Sequence, residues 1–279
     1  MEKDKTLNKE DYVEPNCVLC EKPYGIFEDV KPIPQKRIID KMNEYMSSLD
    51  YNGAERHLKY WLEEAKLGND KKGELMIYNE LIGHYRKVQN KEAFLESKAK
   101  ALELIDILQF SDSISAGTTY INIATAHSSF SENEDALFFF EKAKTIYEST
   151  PNVQPIELAG LYNNMGIALT SLKQFDNAFS SYNKAINILE KEELGALEIA
   201  MTYLNIANLY EAKYGLENCE NKIYDCCDKA YEYFNDERVP RDGYYAYVCK
   251  NSYPTFEYYG FFFYASELKE RMEKIYAGT

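Results

Sequence analysis

The chain has 279 residues, and its 32 Lys and Arg stand against 46 Asp and Glu, a net charge of −14. That excess of acid excludes a long nucleic-acid backbone and an anionic membrane surface as partners, because affinity for either comes from clustered Lys and Arg. The N-terminus, MEKDKTLNKEDYVEPN, has no apolar signal region and no stretch of 18 apolar residues occurs, so no signal peptide, no membrane span and a cytoplasmic location are expected.

Residues 1–34 read as a leader. The first dozen are charged and expected to be disordered. The next stretch, CVLCEKPYGIFEDVKPIPQK, carries Pro23, Pro32 and Pro34 and the apolar Tyr24, Ile26 and Phe27. Proline fixes φ and removes a donor, which predicts an extended strap. It has two candidate resting places, the first helix pair or the protein's own groove. Cys17-x2-Cys20 is half of a zinc site. The remaining thiols, Cys219, Cys226, Cys227 and Cys249, supply no second CxxC, so no metal and no cofactor are expected.

Helix pairs follow. The first is predicted at about 35–67, with its turn at 49–53, Ala54 at the helix crossing, and Trp61 where a small residue is usual. The second spans about 73–108, with Ala93 at the crossing and Gly83 as a candidate small residue on its first helix. The third spans about 114–149, with Ala124, Ala136, Phe140 and Ala143 in register. The fourth, 159–192, is the clearest: Tyr162-x2-Met165-Gly166-x2-Leu169, then Ala178-x3-Tyr182-x2-Ala185. This pattern resembles the tetratricopeptide repeat, a helix–turn–helix unit of about 34 residues. Gly166 and Ala178 sit where two helices cross closely. The fifth pair spans about 197–235 around Ala207. The last spans about 241–276, with a short first helix and a second opening near Pro254 through a run of seven aromatic rings, Phe256 to Tyr264.

The crossing residues Ala54, Ala93, Ala136 and Ala178 are 39, 43 and 42 apart. This wide spacing is similar to that of kinesin light chains and of Gram-positive peptide-pheromone receptors, which points to a bacterial, wide-spaced array. The resemblance implies an all-α, right-handed α-solenoid of about six antiparallel helix pairs: leader 1–34, array 35–240 and an aromatic capping pair 241–279.

One motif recurs on first helices: Tyr120-Ile-Asn122-Ile-Ala124, Tyr162-Asn-Asn164-Met-Gly166 and Tyr203-Leu-Asn205-Ile-Ala207. Asn is a mediocre helix former, so three such placements call for a reason. In tetratricopeptide proteins the first helices line a concave groove, and an amide there offers a bound peptide both a donor and an acceptor. Asn122, Asn164 and Asn205 are therefore expected to form a ladder for an extended segment, with Asn163, Asn208, Thr125 and Glu211 as neighbours. The equally open reading is that each Asn bonds the adjacent repeat. The expected function is a protein- or peptide-binding scaffold with no catalytic residues. One alternative is a homo-oligomer built through the aromatic C-terminal pair. Another is an intracellular enzyme using Cys or His, with His84 and His127 at similar places on successive first helices.

Overall fold

The computed structural model describes residues 30–151 and 153–278. Among these it holds twelve α-helices in six antiparallel pairs: α1 (Gln35–Ser47) with α2 (Tyr51–Leu67), α3 (Lys71–Lys87) with α4 (Lys91–Leu108), and α5 (Ile114–Ser129) with α6 (Asn133–Ser149). Then come α7 (Pro155–Ser171) with α8 (Phe175–Leu189), α9 (Ala196–Tyr214) with α10 (Glu220–Phe234), and α11 (Gly243–Tyr258) with α12 (Phe262–Ala277). A short 3₁₀ turn, Leu216–Asn218, lengthens the link between α9 and α10. The chain divides within α6 into two compact units, residues 1–146 and 147–279.

One turn design joins first to second helix in five pairs. A residue with φ near +60° or above precedes each second helix: Leu49, Gln89, Ser131, Lys173 and Gly260. The next amide then bonds a carbonyl five residues back, as in Asn90 to Tyr85, Glu132 to His127, Gln174 to Leu169 and Phe261 to Phe256. This closure satisfies carbonyls that the first helix leaves unpaired. Four of the five residues are not glycine, although an L-residue in that conformation costs about 1 kcal/mol. Side-chain caps finish several helix starts: Asp50 accepts from Gly53 N at 2.8 Å, Asp70 from Gly73 N at 2.8 Å and Asn90 from Ala93 N at 3.1 Å.

Counting from these turns corrects the register of the second pair. The buried residue four places past the N-cap is Ala54 in α2, Ala136 in α6, Ala178 in α8 and Ala265 in α12. In α4 it is Phe94, not Ala93, which caps against Asn90. Twelve residues before it lies Ile82, fully buried, whereas Gly83 faces open space. The second pair thus fills with Ile82 and Phe94 the place that Gly166 and Ala178 keep narrow. Lys98 stands where the third and fourth pairs put the rings of Phe140 and Tyr182.

The last pair is also corrected. Helix α11 runs through Pro254 to Tyr258 and stops at Gly260, φ +83°, the left-handed residue that ends it. The aromatic run is therefore split by a turn. Phe256 is buried on α11 against Phe234 of α10, and Tyr264 of α12 stacks on Tyr231 of α10 at 3.8 Å. Phe262 and Phe263 remain 69% and 67% exposed.

A repeated cation–π contact ties second helices to first. Lys142 lies 5.3 Å from the Tyr120 ring, Lys184 4.9 Å from Tyr162 and Lys229 5.3 Å from Tyr203. Each such contact contributes about 0.5–1 kcal/mol.

The described end of the leader, residues 30–34, docks on the α2–α3 turn. Lys31 N donates to Gly68 O at 2.8 Å, and Ile33 N donates to Asp70 Oδ2 at 2.9 Å. Cys17, Cys20, Tyr24, Ile26 and Phe27 lie outside the described residues. In the first pair, Trp61 is half-buried between the rings of His57 and Tyr60.

Candidate functional site

With the register fixed, the first helices α3, α5, α7, α9 and α11 present equivalent positions. The place of the recurring Asn has five members, four of them Asn: Glu80, Asn122, Asn164, Asn205 and Asn251. Sequence reading missed Glu80 because Ala93 had set the second pair one residue out of phase. The signal was present in Tyr78-Asn-Glu80-Leu-Ile82, which lies 42 residues before Tyr120-Ile-Asn122-Ile-Ala124. Asn251 was missed because the extended α9–α10 link breaks the period.

In unit 1, Asn122 is half-buried on α5, and among the described residues no hydrogen bond engages its amide. Thr125 bonds back to Ile121 O at 2.7 Å. Asn79 Nδ2 donates to the buried Thr119 hydroxyl at 3.0 Å, while its Oδ1 is buried without a donor. Glu80 is half-buried with no ion pair, and burial pushes its carboxyl above the usual carboxylate range.

In unit 2, Asn205 Nδ2 donates to Asn163 Oδ1 at 3.2 Å, so this side chain bonds the neighbouring repeat. Asn164 is half-buried, and among the described residues its amide has no hydrogen bond. Asn208 and Glu211 are engaged by the last pair. Tyr259 OH donates to Asn208 Oδ1 and to Glu211 Oε2, each at 2.8 Å, and Tyr258 OH donates to Glu211 Oε1 at 2.6 Å. At the other end of α9, Glu198 accepts from Tyr244 OH at 2.7 Å through Oε1, while its Oε2 is buried without a donor.

Buried polar atoms are almost always paired, so those left over carry information. Among the described residues they are Asn79 Oδ1, His84 Nδ1, Ser128 Oγ and Glu198 Oε2. All four lie on first helices.

Other chemistry is accounted for by packing. His127, Glu132 and Asp135 bring their ligand-type atoms within 4.8 Å of one another. Two ammonium groups already engage this cluster: Lys98 Nζ is 2.8 Å from His127 Nε2 and Lys91 Nζ is 2.6 Å from Glu132 Oε1. The imidazole also stacks on Phe139. His84 is one place out of register with His127 and packs on Tyr85 instead. The thiols of Cys226 and Cys227 are pushed up to about 12 by burial, the opposite of what a thiolate nucleophile needs.

Burial holds His84 and His127 below the ordinary imidazole range, so both are neutral in the folded protein at neutral pH. As pH falls through about 6.5, the unfolded chain takes up protons that the folded chain refuses. Their contribution to stability is complete above that value and declines as pH falls toward the folded pKa. Glu80 works in the opposite sense, since its raised pKa favours the folded state as pH falls. Burial lowers His57 as well, so three imidazoles whose ordinary value lies inside the interval act in the same sense, and the melting temperature is expected to drop between pH 7.5 and 5.5 by about 2–4 °C for each kcal/mol lost. Calorimetric melts across that interval check the sign, which a flat or rising profile would reverse.

The family model described as tetratricopeptide repeat matches residues 159–190, which form most of α7 and all of α8. Residues 159–190 are a tetratricopeptide repeat. Among solved structures the chain is similar to BtubC (BKLC) from P. vanneervenii, with 20% identity and a TM-score of 0.62 over 71% of this chain and 78% of that one. It is also similar to a Podosopora anserina putative kinesin light chain with nearly identical TPR-like repeats, with 13% identity and a TM-score of 0.51 over 73% of this chain and 95% of that one. A MamA structure aligns at 18% identity and a TM-score of 0.49, over 73% of this chain and 95% of that one. No curated protein matches the chain in sequence. The fold is thus all-α and of the tetratricopeptide, helical-solenoid class. Repeats of this class generally serve as scaffolds for binding other proteins. Among the described residues no helix is long and apolar enough to cross a membrane.

Proposed function

We propose that the chain is a non-catalytic cytoplasmic scaffold that holds an extended segment of a partner protein against its first helices. The observation that carries this reading is the set of unspent polar groups on those helices: the free amides of Asn122 and Asn164 and the four buried atoms without a partner. In each unit, an extended segment supplies alternating donors and acceptors to polar groups so placed. Asn122 serves unit 1, and Asn164 and Asn205 serve unit 2, with Asn163, Asn208, Thr125 and Glu211 setting selectivity. In this reading residues 35–240 are the array and 241–279 a cap.

The test is calorimetric binding of peptides drawn from a library, comparing the natural chain with the Asn122→Ala, Asn164→Ala, Asn205→Ala triple variant. Asn205 already bonds Asn163, so two lost hydrogen bonds, at Asn122 and Asn164, of about 1 kcal/mol each predict roughly thirtyfold weaker binding. A folded triple variant that binds unchanged would sink the ladder.

A second reading is favoured by one observation, the exposure of Phe262 and Phe263 on adjoining positions of α12. Rings so placed suit a second copy of the chain. Light scattering is expected to show a dimer or larger species that dissociates when both residues become Ser; a monomer in both cases removes this reading.

A further inference from the structure

Two of the buried atoms left without partners on the first helices, Asn79 Oδ1 and Glu198 Oε2, are acceptors that lack donors. In unit 1, Glu80 occupies the rung where its equivalents are amides, so one position of the row carries a carboxylate instead. It is half-buried and has no cation or hydrogen-bond donor among the described residues. The adjoining Asn79 Oδ1 is buried and also lacks a donor. An amide oxygen can be met by a backbone N–H, but a desolvated carboxylate calls for a positive charge.

Unit 2 repeats the theme with different residues. Glu198 Oε2 is buried without a donor, and Tyr244, which bonds the other oxygen, is 49% exposed. Tyr244 stacks on Tyr247 at 6.3 Å with 21° between the rings, and Tyr247 is 57% exposed. The chain elsewhere places a lysine over a first-helix tyrosine ring, at Tyr120, Tyr162 and Tyr203. Among the described residues no cation covers Tyr244 or Tyr247. Two ring faces beside an unsatisfied carboxylate form a setting in which a guanidinium or ammonium gains both a cation–π contact and an ion pair. The net charge of −14 would draw such a ligand in. The exposed cations Arg86 and Lys250 also lie on first helices, so the attraction is local to these two acids rather than spread along the face.

Resting on the scaffold reading above, we propose that the segment each unit binds is basic: Glu80 receives an Arg or Lys side chain in unit 1, and the Glu198–Tyr244–Tyr247 corner receives one in unit 2.

The test uses the full chain and an array of random nonapeptides in two sets. The first set has Arg or Lys at the centre, and the second has the uncharged counterparts citrulline or acetyl-lysine. Retention is expected to be at least tenfold higher for the charged set. The preference is expected to fall below threefold in the Glu80→Gln, Glu198→Gln double variant and in Tyr247→Ala, and to survive in the control Glu193→Gln. Glutamine keeps the acceptor for Tyr244, and Tyr247 is exposed, so both variants are expected to keep their helical circular dichroism. Equal retention of the two sets overturns the basic-segment proposal while leaving the scaffold reading intact. A charge preference undiminished in the double variant overturns the assignment to these residues. Retention of neither set overturns this proposal and the scaffold reading together.

Discussion

Gly166→Ala is expected to destabilise unit 2 by about 2 kcal/mol, although alanine is the better helix former by roughly 1 kcal/mol. The cause is steric. A Cβ at 166 would lie 2.7 Å from Cδ1 and Cζ of Tyr182 and closer still to Cε1. The Tyr182 ring is fully buried, so it has nowhere to retreat without parting α7 from α8. The same helix supplies the control. A Cβ at Gly160 meets nothing within 4 Å, so Gly160→Ala is expected to stabilise by about 0.5–1 kcal/mol. Opposite shifts of the urea midpoint for the two substitutions check the argument. Adding Tyr182→Leu to Gly166→Ala should cost less than the sum of the two single changes, because the smaller side chain removes the clash. Equal effects at 160 and 166 would show that the crossing is not tight.

Asp70→Ala is expected to cost about 3 kcal/mol. Asp70 is fully buried, and its two oxygens do different work. Oδ1 caps α3 through Gly73 N, while Oδ2 holds Ile33 N at the end of the leader. Losing a cap costs about 1 kcal/mol, and leaving a buried N–H unmet costs about 1–3 more. Asp70→Ser separates the two roles, since serine can cap but has no second oxygen for Ile33. Hydrogen exchange at the Ile33 amide is expected to accelerate at least tenfold in both variants, whereas the helical signal of α3 should weaken only with alanine. Slow exchange at Ile33 in Asp70→Ala would mean that the leader is held by other contacts.

The fourth pair was legible because Gly166 and Ala178 mark a close crossing that few other residues tolerate. The second pair was legible as helices but not in register. Its crossing is filled by Ile82 and Phe94, which look like any core residues, and Ala93 offered a small side chain one place away. The turns were equally quiet: a left-handed residue announces itself in sequence when it is glycine, and here Leu49, Gln89, Ser131 and Lys173 take that conformation. The last pair was misread because Pro254, a usual helix breaker, lies inside α11, while the break comes at Gly260. Of the candidate site, the recurrence of Asn122, Asn164 and Asn205 could be read from their shared motif. The equivalent place of Glu80 could not, because it differs in both residue type and phase. Nor could sequence show that Tyr258 and Tyr259 reach Glu211, a contact between residues 47 and 48 positions apart that depends on how α11 lies against α9.

Trp61 is the chain's one indole, and it belongs to unit 1, set among the rings of α2. Light absorbed selectively by indole therefore reports on the first half of the molecule, while tyrosine ellipticity reports on both. A thermal scan followed by the two signals separates the loss of order in unit 1 from that in the whole chain. Phe262→Trp, on an exposed ring of α12, would give the second half an optical reporter of its own.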